Sequence, residues 1–89
     1  MRAAGALTEI SVLGDVELLS LSGSVTADGA HLHAVVADAQ GQVRGGHLQH
    51  GNMVRTTAEV LLAELPDWEL SRALDAQTGY LELVVRPRR

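Results

Sequence analysis

Residues 31–48 read HLHAVVADAQGQVRGGHL, and this stretch decides the fold. It contains two strand-sized runs, His31 to Ala37 and Gln42 to Leu48, which are separated by a short polar turn that ends at Gly41. Two such runs around a glycine-containing turn are typical of a β-hairpin. The stretch therefore predicts two adjacent antiparallel strands.

Three of the four histidines of the chain lie in this hairpin, at positions 31, 33 and 47. Side chains alternate between the two faces of a strand, so His31 and His33 point to the same face. Pairing of the strands around Gly41 brings His47 opposite the start of the first strand. The pattern thus predicts three imidazoles at one end of one sheet face.

Three neutral imidazoles match a zinc site, and three protein ligands leave the fourth tetrahedral position for water or a substrate oxygen. Nickel, copper and iron also accept imidazole, so the ligand type alone leaves these metals open. The alternative is that these histidines are ordinary surface or core residues. We predict one divalent metal ion, zinc by default, bound by His31, His33 and His47. His50 lies in the following turn, and we expect it to face solvent.

Turn residues separate further strand-sized segments outside this hairpin. Gly14-Asp15 divides Thr8 to Leu13 from Val16 to Leu21, which predicts a second hairpin. Tyr80 to Val85 is typical of a closing strand, and Asp67 to Leu74 is expected to form a short helical turn. The predicted fold class is α+β, with a mostly antiparallel β-sheet and one short helix.

The segment from Thr56 to Leu65 permits two interpretations. Thr56 and Glu59 have the spacing of a helix capping box, and an apolar helical stripe follows them. Val60 to Leu62 is also compatible with an apolar strand. The residues alone favour the helix.

Composition limits the classes of protein to consider. The chain has 89 residues, of which 46% are hydrophobic, and no phenylalanine, so one domain with a thin core is expected. It has no cysteine, which leaves metal binding or self-association as the routes to extra stability. The same absence, together with a start that does not resemble a signal peptide, predicts a cytoplasmic protein. No apolar run approaches the roughly 20 residues of a membrane-spanning helix.

The charge balance disfavours DNA as a general partner. Eleven acidic residues against seven basic ones give a formal net charge of -4, which repels a polyanion. The basic cluster from Arg86 to Arg89 is more typical of a solvated terminus, and we assign it no role.

Short motifs along most of the chain point to a known family. They are GDVELLSLSGS at 14–24, HLH at 31–33, GQVRGGHL at 41–48, TTAEV at 56–60, and the spaced residues Arg72, Asp75, Thr78 and Gly79. Each motif is short, but their joint occurrence in this order is specific. In these motifs the chain resembles the plants-and-prokaryotes-conserved domain family.

This resemblance implies an α+β fold with a largely antiparallel sheet, a homotrimer, and, as in prokaryotic members, a metal site at His31, His33 and His47. It also implies that the Thr-Thr-Ala-Glu segment leads into a strand, so we predict a strand rather than a helix from Val60 to Leu65. Plant members carry the domain beside AT-hook DNA-binding motifs, whereas this chain has no AT-hook. Association with the family is therefore the sole argument for DNA binding by this chain.

Two features depart from the family pattern. The plant partner-contact segment Gly-Arg-Phe-Glu-Ile-Leu corresponds here to residues 14–19, GDVELL, which argues against plant-type partner binding. Family members normally have a strand and a helix before the segment that begins here near Gly5. We predict that residues 1–89 form a single domain of this type without those two elements, and an exposed sheet edge would make trimerisation more necessary.

The histidine pattern is also similar to that of zinc-dependent acetolactate decarboxylase, whose fold is similar to that of the family. That similarity implies a small oxygenated molecule at the open metal position. Glu59 lies in an otherwise apolar stretch and is our candidate for catalytic proton transfer. We predict a metal-binding domain with a binding or regulatory role; the alternative is a metal-dependent lyase or hydrolase that acts on a small carbonyl or ester substrate.

Overall fold

The computed structural model describes residues 14–88, which form two antiparallel sheets. The first sheet has the strand order β1-β2-β3, with β1 at Glu17–Thr26, β2 at Gly29–Ala37 and β3 at Val43–His47. The second pairs β4, Trp68–Leu74, with β5, Leu81–Pro87. Residues 14–88 contain no helix, and hence none that could cross a membrane. The prediction of a mostly antiparallel β architecture is confirmed. The predicted short helix is absent from residues 14–88.

The helical turn predicted for Asp67 to Leu74 is wrong, because Trp68–Leu74 is strand β4. Every residue of β4 pairs with β5, from Trp68 opposite Pro87 to Leu74 opposite Leu81. The positions of Trp68, Leu70 and Leu74 differ by two and four, which places these side chains on one face of a strand. The neighbouring strand β5 supplies the hydrogen bonds that decide between the two conformations.

Most of the other predicted strands are confirmed. His31 to Ala37, Gln42 to Leu48 and Tyr80 to Val85 correspond to β2, β3 and β5, with small differences at their ends. Most of Val16 to Leu21 lies in β1, which continues beyond it to Thr26. The strand predicted for Thr8 to Leu13 lies outside the described residues.

The segment Val60 to Leu65 forms neither the strand nor the helix considered for it. Residues 48–67 contain no regular secondary structure, and their large apolar side chains are well exposed, with Leu61 at 96% and Leu62 at 77% exposure. A strand is stable only when a neighbour pairs with its backbone. Within residues 14–88 no strand pairs with this segment.

The residues that the structure describes form two compact units. The first comprises residues 14–24 and 31–58, and the second comprises residues 25–30 and 59–88. The first unit contains all four histidines. In the second, the carboxylate of Asp28 accepts a hydrogen bond of 2.9 Å from the backbone amide of Arg72.

The β4–β5 hairpin contains the late motif residues Asp75, Thr78 and Gly79. The carbonyl of Asp75 accepts a hydrogen bond from the amide of Gly79 at 2.8 Å, and the Asp75 carboxylate accepts one from the amide of Gln77 at 2.8 Å. Gly79 has a φ of 75°, a conformation that glycine adopts without steric cost. These residues therefore have a structural explanation as the turn between two strands.

The buried core of the described chain is small. Ala34 and Val36 are the buried apolar residues of the described range, at 1% and 7% exposure, and both lie on β2. Large apolar side chains that remain exposed include Met53, Leu61, Leu62, Leu74 and Leu81. Within residues 14–88 a single copy thus leaves much apolar area uncovered, which is rare in monomeric proteins.

Candidate metal centre

The histidines predicted as metal ligands meet on one face of the first sheet. His33 on β2 lies directly opposite His47 on β3. The amide of Leu48 donates a 2.9 Å hydrogen bond to the carbonyl of Leu32. Leu32 and Leu48 are therefore a hydrogen-bonded pair. Because hydrogen-bonded and non-hydrogen-bonded pairs alternate along an antiparallel ladder, the adjacent pair of His33 and His47 is non-hydrogen-bonded, the kind in which side chains approach more closely.

The three imidazole rings are in mutual contact. The ring centroids are 5.0 Å apart for His31 and His33, 4.8 Å for His31 and His47, and 5.6 Å for His33 and His47. The Nε2 atoms of His31 and His33 are 3.2 Å apart. One candidate ligand atom from each of the three residues lies within 4.8 Å of the other two. We refer to His31, His33 and His47 below as the histidine cluster.

This geometry fits a tetrahedral metal ion. Zinc–nitrogen bonds of about 2.0–2.1 Å at tetrahedral angles require nitrogens about 3.3–3.4 Å apart, and the Nε2 atoms of His31 and His33 are separated by 3.2 Å. The candidate ligand atoms of the three residues all lie within 4.8 Å of one another, so a change of at most roughly 1.5 Å in any pair would reach the tetrahedral spacing. His33 is exposed and the other two histidines are half-buried, so an ion at this position would be reachable from solvent.

The turn between β2 and β3 sets the register that brings the histidines together. The amides of Gln40 and Gln42 donate hydrogen bonds of 2.9 and 2.8 Å to the Asp38 carboxylate, and the amide of Gly41 donates one of 3.0 Å to the Asp38 carbonyl. Gly41 has a φ of 79°. A three-residue loop that ends in a left-handed residue is a common hairpin connection, and hairpin loops determine strand register.

We predict that Asp38→Ala and Gly41→Ala each destabilise the metal-free chain. The first removes two hydrogen bonds, each worth about 0.5–1.5 kcal/mol, and the second places a side chain in a left-handed conformation at a cost of about 1–2 kcal/mol. Urea unfolding in the presence of a chelator measures both effects. Gln40→Ala, which keeps its backbone amide, is the matched control, and unchanged midpoints for the first two variants would contradict this role of the turn.

Glu59 and His50 are not part of the cluster. Among the described residues, the three-ligand group contains the three histidines and neither of these two side chains. His50 is exposed, as expected. Glu59 is exposed in the stretch without regular structure, and it belongs to the second compact unit. Its catalytic role stays a prediction.

Sequence reasoning missed Gly23, which lies on β1 against the backbone of His31. A Cβ atom built on Gly23 would be 2.0 Å from the carbonyl oxygen of His31. The available signal was an isolated glycine inside a strand-forming run, which often marks a bulge or a close approach of another backbone.

The fold and the site define a small antiparallel β protein with a three-histidine cluster on one sheet face. The sequence profile of the Plants and Prokaryotes Conserved (PCC) domain matches residues 2–66. The chain therefore belongs to the PCC domain family.

Two curated relatives are similar to most of this chain. The Bifunctional protein GlmU of Synechococcus sp. (strain JA-2-3B'a(2-13)) is 54% identical over 72 residues, which are 81% of this chain and 11% of that protein. The Bifunctional protein GlmU of Synechococcus sp. (strain JA-3-3Ab) is 54% identical over 68 residues, which are 76% of this chain and 11% of that protein. A closely similar sequence thus also occurs as a small part of much longer proteins.

Proposed function

We propose that this chain is a PCC-type domain that binds one divalent metal ion, zinc by default, and has a binding or regulatory role. The observation that carries the proposal is the convergence of three imidazoles on one sheet face, with Nε2 atoms of two of them 3.2 Å apart. Imidazole is a preferred ligand of zinc, and three such ligands leave one position for a small molecule. A cytoplasmic location belongs to the same proposal and is based on the cysteine-free sequence.

The metal content of purified protein tests this function. The protein is prepared without a histidine tag and analysed by plasma mass spectrometry, beside a triple variant in which His31, His33 and His47 are alanine. We expect about one zinc ion per wild-type chain and none in the triple variant. Metal-free wild-type protein that takes up no added zinc, nickel, copper or iron would overturn the proposal.

We also propose that the chain assembles as a homotrimer. The small core and the exposed apolar side chains support self-association, because burial in an interface removes apolar area from water. The trimer itself is the assembly that the family resemblance implies.

The second candidate function is a metal-dependent lyase or hydrolase for a small carbonyl or ester compound. The exposure of His33 and the count of three ligands favour it, since a substrate oxygen needs an accessible fourth position. The metal, when bound, would polarise a carbonyl group or lower the pKa of bound water to about 7. Glu59 is the candidate for the proton transfer that such a reaction requires.

This enzymatic function predicts turnover of keto acids or simple esters by zinc-loaded protein, and loss of that turnover on chelation. Glu59→Gln should reduce the rate by about 100-fold or more, the usual contribution of a general acid or base. Glu64→Gln, an exposed glutamate nearby in sequence, is the matched control. Equal rates in the two variants would remove Glu59 from the mechanism, and no turnover of either substrate class would leave the binding role.

We do not propose DNA as the ligand. The net charge of -4 opposes binding to a polyanion, and nucleic-acid binding through the Arg86 to Arg89 segment would depend strongly on salt. A mobility assay with duplex DNA at low salt should show no shift, and a salt-sensitive shift that disappears when the four residues are deleted would contradict this view.

A further inference from the structure

Gly23 on β1 lies unusually close to the first metal-ligand candidate of β2. A Cβ atom at this position would lie 2.0 Å from the carbonyl oxygen and 2.9 Å from the carbonyl carbon of His31, and 2.9 Å from the Cα atom of Leu32. These are backbone atoms, so no rotation of a side chain relieves the overlap. Gly23 also has a φ of 154°, which residues with a side chain rarely adopt.

We propose that Gly23 is a positioning residue of the histidine cluster, an inference that rests on the proposed metal-binding function. A side chain at position 23 would push the peptide of His31 away from β1. His33 is held separately, by its pairing with His47 across β2 and β3. A displacement at His31 therefore changes the 3.2 Å separation of the His31 and His33 Nε2 atoms, on which joint coordination depends.

Two other glycines provide matched controls. A Cβ atom at Gly45 would lie 3.4 Å from the carbonyl oxygen of Ala34 and 3.5 Å from Cγ2 of Val35, so alanine fits there with ordinary contacts. Gly29 has a φ of 118°, and a Cβ atom added there would have no neighbouring atom within 4 Å, so alanine adds backbone strain without a collision. The collision with the His31 carbonyl distinguishes Gly23 from both.

Titration with zinc and with cobalt(II) tests the inference. We expect Gly23→Ala to weaken zinc binding by at least about tenfold, the lower end of the range for changes in residues that orient metal ligands. The visible absorption of bound cobalt should also change, because it reports ligand geometry. Gly45→Ala should keep the wild-type affinity and spectrum. Equal affinities and spectra for Gly23→Ala and the wild type would overturn the inference.

A double-variant comparison separates an effect through His31 from general damage. If Gly23 acts by placing His31, Gly23→Ala should weaken zinc binding no further in a chain that already carries His31→Ala. A full additional loss in that background would overturn the inference. A wild-type chain that binds no metal would overturn the proposed function and this inference together. A wild-type chain that binds metal, with no effect of Gly23→Ala on affinity or spectrum, would overturn this inference alone.

Loss of folding is measured in the same series. Circular dichroism and urea unfolding in chelator report the stability of each variant without metal, and Gly29→Ala shows how much strain alone costs. If Gly23→Ala is unfolded, sulfate is added to restore the folded state. If the circular dichroism spectrum of Gly23→Ala in sulfate then equals that of the wild type but its cobalt spectrum does not, the inference is supported. If both spectra equal those of the wild type, the inference is overturned.

Discussion

Zinc should bind at least about 100-fold more weakly to each of His31→Ala, His33→Ala and His47→Ala than to the wild-type chain. Each change leaves only two imidazoles of the histidine cluster. Replacing a residue that only orients a metal ligand already lowers the metal affinity by about 10–100-fold, so loss of a ligand should lower it at least as much. Competition with a chromophoric chelator at neutral pH measures the affinities. Losses of similar size in the three variants would show that the three side chains bind one ion.

His50→Ala is the matched control for these three variants. It removes the remaining imidazole of the chain, which is exposed and lies outside the cluster, so its zinc affinity should equal that of the wild type. Zinc at 100 times its dissociation constant should also stabilise the wild type and His50→Ala by about 2.7 kcal/mol, and the cluster variants much less. A loss for His50→Ala as large as that for the cluster variants would show that the effect is not specific to the histidine cluster.

The histidine cluster could be predicted from the sequence because its geometry is local. The period of two along β2 places His31 and His33 on one face, and a short hairpin fixes where His47 returns. Both facts follow from residues close together in the chain. The structure adds the ring separations, which depend on the ladder type of the His33 and His47 pair.

The errors in the sequence analysis concern features that depend on distant residues. Trp68–Leu74 is a strand because β5 pairs with it, and the residues of the segment do not reveal that partner. Val60 to Leu65 has an apolar pattern, but within residues 14–88 no strand pairs with it. The role of Gly23 depends on a distance to His31 across two strands. Local patterns can suggest a strand or a close approach of two backbones, but they do not identify the partner residue.

Replacing both Leu61 and Leu62 with aspartate should convert a homotrimer into monomers. These two leucines are among the most exposed large apolar side chains of the described chain, at 96% and 77% exposure. Burial of each leucine in an interface is worth about 1.5–3 kcal/mol, so the loss of two corresponds to a factor of at least about 100 in the association constant. Sedimentation velocity over a range of protein concentrations measures the change.

The matched control is the double variant Gln40→Asp and Gln77→Asp, which adds the same two charges at exposed polar positions in turns. It should keep the wild-type sedimentation coefficient, since neither side chain has an apolar area to bury. Dissociation of both variants would attribute the effect to net charge, which already stands at -4. A monomeric wild type would instead overturn self-association, and the exposure of Leu61 and Leu62 would then need a different explanation.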